Sequence, residues 1–333
     1  MTVTSTKTTA TMTPAPAAGC GRPRGGRFGA WRALAAFPAV AGSVLFMLVL
    51  TAALSPWQAP VFLVWLGAAG VFSTRAGERV AMRARGFRPL SARQREVLDP
   101  VFAAAVARCR VRAEQVDWYL HAGGQPTACV AGRRSLAVTE GALKAFVAGG
   151  LTHDHLQAIL CHELAHLWQK ATSGALAIGW LAAPGRLALR LVFRLACALS
   201  GRRRLGWGSG PLLLVGGGIA LGSAVQHSQW TAALMLAGLG TAMLGTPLLD
   251  AAISRTAERA ADRYAAEVGA GPDLAQALLA ISGSPLARRR WAWGLMDSHP
   301  SVASRVRSLG IDQVAAPLRV RARRSPRRVL GSP

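Results

Sequence analysis

Residues 162–166 read HELAH and contain the residue types best suited to binding a metal ion. Apolar residues recur around them at the spacing of an α-helix, and no Gly or Pro occurs between Thr152 and Gly174. Positions i and i+4 share a helix face, so His162 and His166 can offer imidazole nitrogens to one zinc ion at about 2.0–2.1 Å. Glu163 lies beside them, where it can hold a water molecule. The alternative is two unrelated histidines on a half-buried face.

A catalytic zinc site needs a third protein ligand and leaves one position open for water. The best candidate is Glu258, in the stretch SRTAERAAD at residues 254–262. Asp262 follows one helical turn later, where it would orient one of the ligand histidines. In the alternative interpretation, these acids form salt bridges along one helix face with the neighbouring arginines Arg255, Arg259 and Arg263.

The elements expected to carry these residues begin near Ser91, where a helix is predicted. A second helix is predicted from Gly141, and Thr152 is predicted to cap the HELAH helix. A further helix from about Leu248 to Val268 would carry Glu258. Short strands are predicted over residues 116–120, 127–131 and 136–138.

The composition indicates a membrane protein. The 333 residues include 39 Lys and Arg against 15 Asp and Glu, a formal net charge of +24, yet 51% of them are hydrophobic. A soluble domain with this charge imbalance would normally hold fewer apolar residues. The five cysteines are widely spaced and form no Cys-x-x-Cys pair, which favours a reducing compartment.

Residues 1–33 are rich in Thr, Pro, Ala, Gly and Arg, which predicts a disordered basic leader. The uncharged stretch from Leu34 to Leu54 can cross about 30 Å of hydrocarbon as a helix. Together with the shorter apolar stretch that follows, it predicts a transmembrane hairpin over 34–73. Arginines flank this hairpin on both sides, which favours cytoplasmic ends. A signal peptide is the rival interpretation, although its apolar region normally has about 7–15 residues.

A membrane-associated insert is predicted over residues 173–249. Arg186, Arg190 and Arg194 recur at four-residue spacing, which favours a helix in the membrane interface over a span. Residues 211–249 are apolar except for a polar break at 226–229, which predicts a second transmembrane hairpin. This insert would separate a catalytic domain into a first part, residues 86–172, and a second part, residues 250–312. A disordered basic tail is predicted over residues 313–333.

Several short motifs occur in an order that resembles a known family. Besides HELAH and SRTAERAAD, the chain contains QPTACVAG, AVTEGAL and SHPS at residues 125–132, 137–143 and 298–301. The ordered set, across residues 89–310, resembles the HtpX-like membrane zinc metallopeptidases of peptidase family M48. These are gluzincins related to the CAAX prenyl endopeptidases.

The resemblance implies an α+β, mostly α, integral membrane protein. Its zincin-like catalytic domain would combine a small edge sheet with the HELAH helix and a helix that bears a glutamate. One Zn²⁺ per chain would be bound by His162, His166 and Glu258, with Glu163 as general base and Asp262 supporting a ligand histidine. His299 matches a family position near the active site and would stabilise an oxyanion, although a histidine before proline is equally often structural.

The strand that contains Thr127, Ala128 and Cys129 is expected to pair with the substrate backbone. The family commonly has Asn in place of Thr127. Because a hydroxyl replaces only part of the hydrogen bonding of a carboxamide, this departure bears on substrate preference and not on the chemistry.

These expectations describe a multi-pass plasma-membrane metalloendopeptidase that hydrolyses membrane or misfolded proteins at the cytoplasmic face. Its partners would be protein or peptide substrates and the lipid bilayer, with no specific nucleic acid; the sequence sets no oligomeric state. The alternative is a non-catalytic membrane scaffold whose basic leader and tail bind anionic lipid or nucleic acid. Such a scaffold has no use for HELAH or for the matched Glu and Asp.

Overall fold

The computed structural model describes residues 27–52, 56–169, 172, 174–188, 191, 209–282 and 300–310. Within these residues the fold is α+β and mostly helical, with one small sheet, as predicted. The principal helices are α1 (Arg27–Ala52), α2 (Gln58–Val71), α3 (Arg75–Ala84), α4 (Ala92–Arg108), α5 (Glu140–Val147), α6 (His153–Trp168), α7 (Ala175–Leu181), α8 (Ser209–Gln226), α9 (Trp230–Glu267), α10 (Gly271–Ser282) and α11 (Val302–Ser308).

The sheet has four strands in the order β1-β2-β4-β3. They are β1 (Phe87–Pro89), β2 (Asp117–His121), β3 (Ala128–Ala131) and β4 (Ser135–Thr139). β2 and β4 pair in parallel, whereas β3 runs antiparallel to β4 from Ala128 opposite Val138 to Ala131 opposite Ser135. The three predicted strands are confirmed. β1 was not expected, because three residues are too few to show a period of two.

The larger apolar core forms where α6 packs against α4, α9, α10 and β3. Leu156, Leu160 and Leu164 of α6 are completely buried and meet Leu98 of α4 and Leu274 of α10 in one apolar cluster. The helices predicted near Ser91 and from Gly141 are present as α4 and α5. Ser91 forms a capping box at the start of α4, and Thr139 caps α5. This packing fixes the orientation of α6 and determines which of its faces is left for chemistry.

A second group of helices carries the apolar segments. α1 packs along α9, α2 packs against α1 and α7, and α8 packs against α9. Many large apolar side chains in this group stay exposed, among them Phe37, Leu63, Val64, Ile219 and Leu234. Exposed apolar surface of this kind marks an interaction site with membrane or protein.

Among the described residues, one helix, Phe28–Ala52, is long and apolar enough to cross a membrane by itself. The helices Gln58–Val71 and Arg75–Ala84 form a pair bent by 98°. The polar break at 226–229 does separate two helices, α8 and α9. That these segments form transmembrane hairpins stays a prediction.

Two predicted boundaries differ from the structure. α1 begins at Arg27, so the leader predicted over 1–33 is too long; Arg32 already donates a hydrogen bond to Ser254 of α9 (3.2 Å). α9 runs without interruption through the expected start at Leu248, because a change from apolar to polar composition does not end a helix. The tail predicted over 313–333 lies outside the described residues.

Candidate metal centre

The HELAH residues lie in the second half of α6, and the start of that helix is fixed as predicted. The Thr152 hydroxyl accepts a hydrogen bond from the backbone N–H of His155 (3.2 Å), and the His155 side chain completes a capping box. Because the leucines of α6 face the core, His162 and His166 share the face that looks toward α9. His162 is 4% exposed, so its ring is held in one buried position.

Donor atoms of three side chains converge between α6 and α9. Nε2 of His162 lies 3.3 Å from Oε2 of Glu258, and Nε2 of His166 lies 3.4 Å from Oε1 of the same side chain. The two Nε2 atoms are 3.2 Å apart, with the imidazole rings perpendicular. Within the described part of the chain, this is the one group of three such residues that could hold a metal ion.

The spacing of these donors fits a tetrahedral cation. Ligand atoms bound at about 2.0–2.1 Å around a tetrahedral ion are separated by about 3.3–3.4 Å. The two imidazole nitrogens here are 3.2 Å apart, and each lies 3.3 or 3.4 Å from one of the two carboxylate oxygens of Glu258. Two imidazoles and a carboxylate are also ligands that zinc accepts. The burial of Glu258, 6% exposed, disagrees with the alternative in which this residue forms salt bridges on a solvent-exposed face.

Asp262 lies behind the donors, one turn beyond Glu258 on α9. Its Oδ1 is 3.0 Å from Nδ1 of His162, and the residue is 1% exposed. This contact favours the tautomer of His162 that carries a proton on Nδ1 and leaves the Nε2 lone pair directed toward the other donors.

Arg305 of α11 was not anticipated from the sequence. Its Nε donates to Oδ2 of Asp262 (2.9 Å) and its Nη2 donates to Oδ1 (2.6 Å), while Nη1 lies 3.3 Å from Oε2 of Glu258. The guanidinium therefore contacts both acids of α9, and its Nη2 also lies 3.2 Å from Nε2 of His162. The signal that could have led to it is the SHPS motif, which ends four residues before Arg305.

Burial and charge shift the protonation of the centre. Burial and the Arg305 charge lower the pKa of His162, but hydrogen bonds to Asp262 and Glu258 outweigh them and raise it to about 9. Burial raises the pKa of Glu163, against the opposing effect of the two histidines. For Asp262, burial is outweighed by hydrogen bonds to His162 and Arg305, which hold its pKa below the usual range. A carboxylate with a raised pKa suits a proton acceptor near neutral pH.

The expected substrate strand lies beside the HELAH helix. β3 packs against α6, and the pKa of Cys129 is raised to about 12 by burial and by the charge of Glu163. β3 pairs with β4 alone among the described strands, so one edge of β3 carries no strand partner there. Thr127 precedes β3 and its hydroxyl donates to the carbonyl oxygen of Ala128 (3.1 Å). His299, singled out above, lies outside the described residues.

Comparison with known proteins gives a family match across the region that holds this centre. The model of peptidase family M48 matches residues 92–311 of the 333. No curated protein matches the sequence. The crystal structure of Ste24p from S. mikatae is similar with a TM-score of 0.40 and 18% identity, over 81% of this chain. The match spans 62% of the length of that Ste24p chain.

Proposed function

Since the chain belongs to peptidase family M48 and is a metallopeptidase by that membership, we propose that it is a zinc-dependent metalloendopeptidase. In this proposal it is bound to the plasma membrane by its apolar helices and hydrolyses membrane or misfolded proteins at the cytoplasmic face. The observation that carries the zinc assignment is the convergence and spacing of the donor atoms of His162, His166 and Glu258. The apolar helix at residues 28–52 supports the membrane location.

His162, His166 and Glu258 would hold the ion, which when bound supplies a Lewis acid that polarises a carbonyl and acidifies water. Glu163 accepts the proton of the attacking water and later delivers it to the leaving amine. Asp262 keeps His162 in the ligating tautomer, and Arg305 fixes Asp262. His299 is proposed to stabilise the oxyanion.

The substrate backbone is proposed to lie along the open edge of β3 at Thr127, Ala128 and Cys129, which brings a scissile bond beside Glu163. Backbone pairing of this kind gives affinity that depends little on sequence. This suits an enzyme that acts on misfolded chains of varied sequence. A non-catalytic scaffold would gain nothing from burying three metal-binding donors and an acid that orients one of them.

The variant Glu163→Gln tests the function. We expect it to bind zinc as the wild type does and to lose casein cleavage, because an amide cannot accept the proton of the attacking water. Glu96→Gln makes the same change on an exposed face of α4 and should leave cleavage unchanged. Cleavage by Glu163→Gln at the wild-type rate would show that the base is another residue.

A further inference from the structure

Glu78 is a buried acid that lies outside the metal centre and has no part in the chemistry proposed above. It occupies the first turn of α3 and is 4% exposed. Burial of an ionised carboxylate is costly unless hydrogen bonds satisfy it. The partners that offset this cost therefore indicate what the residue does.

The three donors to Glu78 that the structure describes are Arg133 and Arg134, in the turn between β3 and β4, and Ser135, the first residue of β4. Its Oε1 accepts hydrogen bonds from the backbone N–H groups of Arg133 (3.1 Å) and Arg134 (3.0 Å) and from the hydroxyl of Ser135 (2.7 Å). Bonds to an ionised acceptor are stronger than neutral ones. One oxygen atom thus holds three consecutive residues.

The turn is shaped around this carboxylate. Gly132 has a φ of +67°, and a Cβ atom built there would lie 2.5 Å from Oε1 of Glu78. A side chain at this position would therefore displace the acid as well as strain the backbone. The hydroxyl of Thr172, beyond the end of α6, donates to the carbonyl oxygen of Gly132.

The opposite end of β3 is fixed independently by Thr139. Its hydroxyl donates to the carbonyl oxygen of Thr127 (2.8 Å), and the backbone N–H of Thr127 approaches the same hydroxyl at 3.2 Å. Among the described strands, β3 pairs with β4 alone and it also packs on α6, so the anchors at its two ends add to these contacts in setting its position beside Glu163. Glu78 is the anchor at the turn.

α3 connects this anchor to α2. The corner between the two helices is so tight that a Cβ atom on Gly77 would lie 2.0 Å from the carbonyl oxygen of Val71. Arg75 of α3 also pairs with Asp117 at the start of β2 (2.8 Å). The apolar α2 and the edge strand are therefore joined through a short rigid path.

We propose that Glu78 is a positioning residue for the peptidase reaction: it anchors the β3–β4 turn to α3 and so sets the position of the substrate-binding edge of β3. This inference rests on the proposed function. It assigns Glu78 to substrate binding, without any role in metal binding or proton transfer.

The test compares two substrates in zinc-loaded, full-length protein. One is a peptide long enough to pair along β3, and the other is a short blocked peptide that reaches little beyond the scissile bond. Glu78→Ala removes the shared acceptor, and we expect KM for the long peptide to rise about tenfold, the equivalent of about one lost backbone hydrogen bond. The short peptide should keep its KM, and zinc content should be unchanged.

Glu78→Gln keeps an acceptor oxygen and should restore most of the affinity for the long peptide, whereas Glu96→Ala, on an exposed face, should behave as wild type. A merely structural role would lower the active fraction and so reduce kcat equally for both substrates. That result would overturn the proposal. If Glu78→Ala does not fold, Ser135→Ala removes one of the three donors and should raise KM for the long peptide by a smaller factor; an unchanged KM would contradict the proposal.

Amide hydrogen exchange of the same proteins needs no activity. We expect the amides of Arg133 and Arg134 to exchange at least about tenfold faster in Glu78→Ala than in wild type, because each loses its acceptor. Unchanged protection would refute the anchor. If the wild type binds no zinc and cuts neither peptide, the proposed function fails, and this measurement still decides whether Glu78 holds the turn.

Discussion

Replacing Asp262 by Asn tests how the ligand His162 is held. Asp262 accepts three N–H groups: two from Arg305 at 2.9 and 2.6 Å and the Nδ1 proton of His162 at 3.0 Å. An Asn of the same shape has one acceptor oxygen. If that oxygen faces Nδ1 of His162, the NH2 group of the Asn faces Nε of Arg305, which is also a donor. If the side chain flips, the NH2 group faces both Nη2 of Arg305 and Nδ1 of His162.

The smaller loss is one charged hydrogen bond, about 1.5–3 kcal/mol, and part of it will appear as weaker zinc binding because His162 is less well oriented. We therefore expect the zinc affinity of Asp262→Asn to fall by about 10–100-fold. A competition titration against a chelator of known affinity measures this. Asp250→Asn, on an exposed part of the same helix, is the matched control. Wild-type affinity in Asp262→Asn would refute the argument that these buried hydrogen bonds orient the ligand.

Two further predictions concern charge in the centre. Arg305→Leu leaves two buried acids without their cation and should lower the free energy of unfolding of chelator-treated protein by about 3–5 kcal/mol. Arg307→Leu, which is exposed on the same helix, should lower it little. Denaturant titrations measure both effects, and equal effects would contradict the role given to Arg305. The pKa of His162 is about 9, so at lower pH zinc must displace a proton from this ring in order to bind. The apparent zinc affinity should therefore rise by up to about tenfold per pH unit between pH 7 and 9 and then level off. A flat profile over that range would show that His162 is already neutral.

The parts of the fold that were predictable are those in which a local pattern has one physical meaning. Thr152 at the start of α6 is such a case, because a threonine before a run with helical apolar spacing can satisfy the free N–H groups of the first turn. The spacing of His162 and His166 fixes their common face once the helix is known. Glu258 and Asp262 are also four residues apart, so they share a face of α9 once that helix is known.

Contacts between distant segments were not predictable in the same way. Arg305 meets Asp262 across 43 residues and His162 across 143, and an arginine in a chain with so many arginines carries no local signal. Glu78 reaches the β3–β4 turn across 55 residues, and its role depends on the left-handed backbone at Gly132. The arginines after the predicted hairpin were interpreted as evidence for its orientation in the membrane, yet Arg75 also forms an ion pair with Asp117.

The zinc content of purified wild type and of Glu258→Ala tests the central claim most directly. The account predicts one zinc per chain in the wild type and loss of that zinc in the variant, with folding of the variant checked by circular dichroism. Stoichiometric zinc in Glu258→Ala, with an affinity equal to that of the wild type, would show that the carboxylate is not a ligand and that the centre between α6 and α9 has been assigned wrongly.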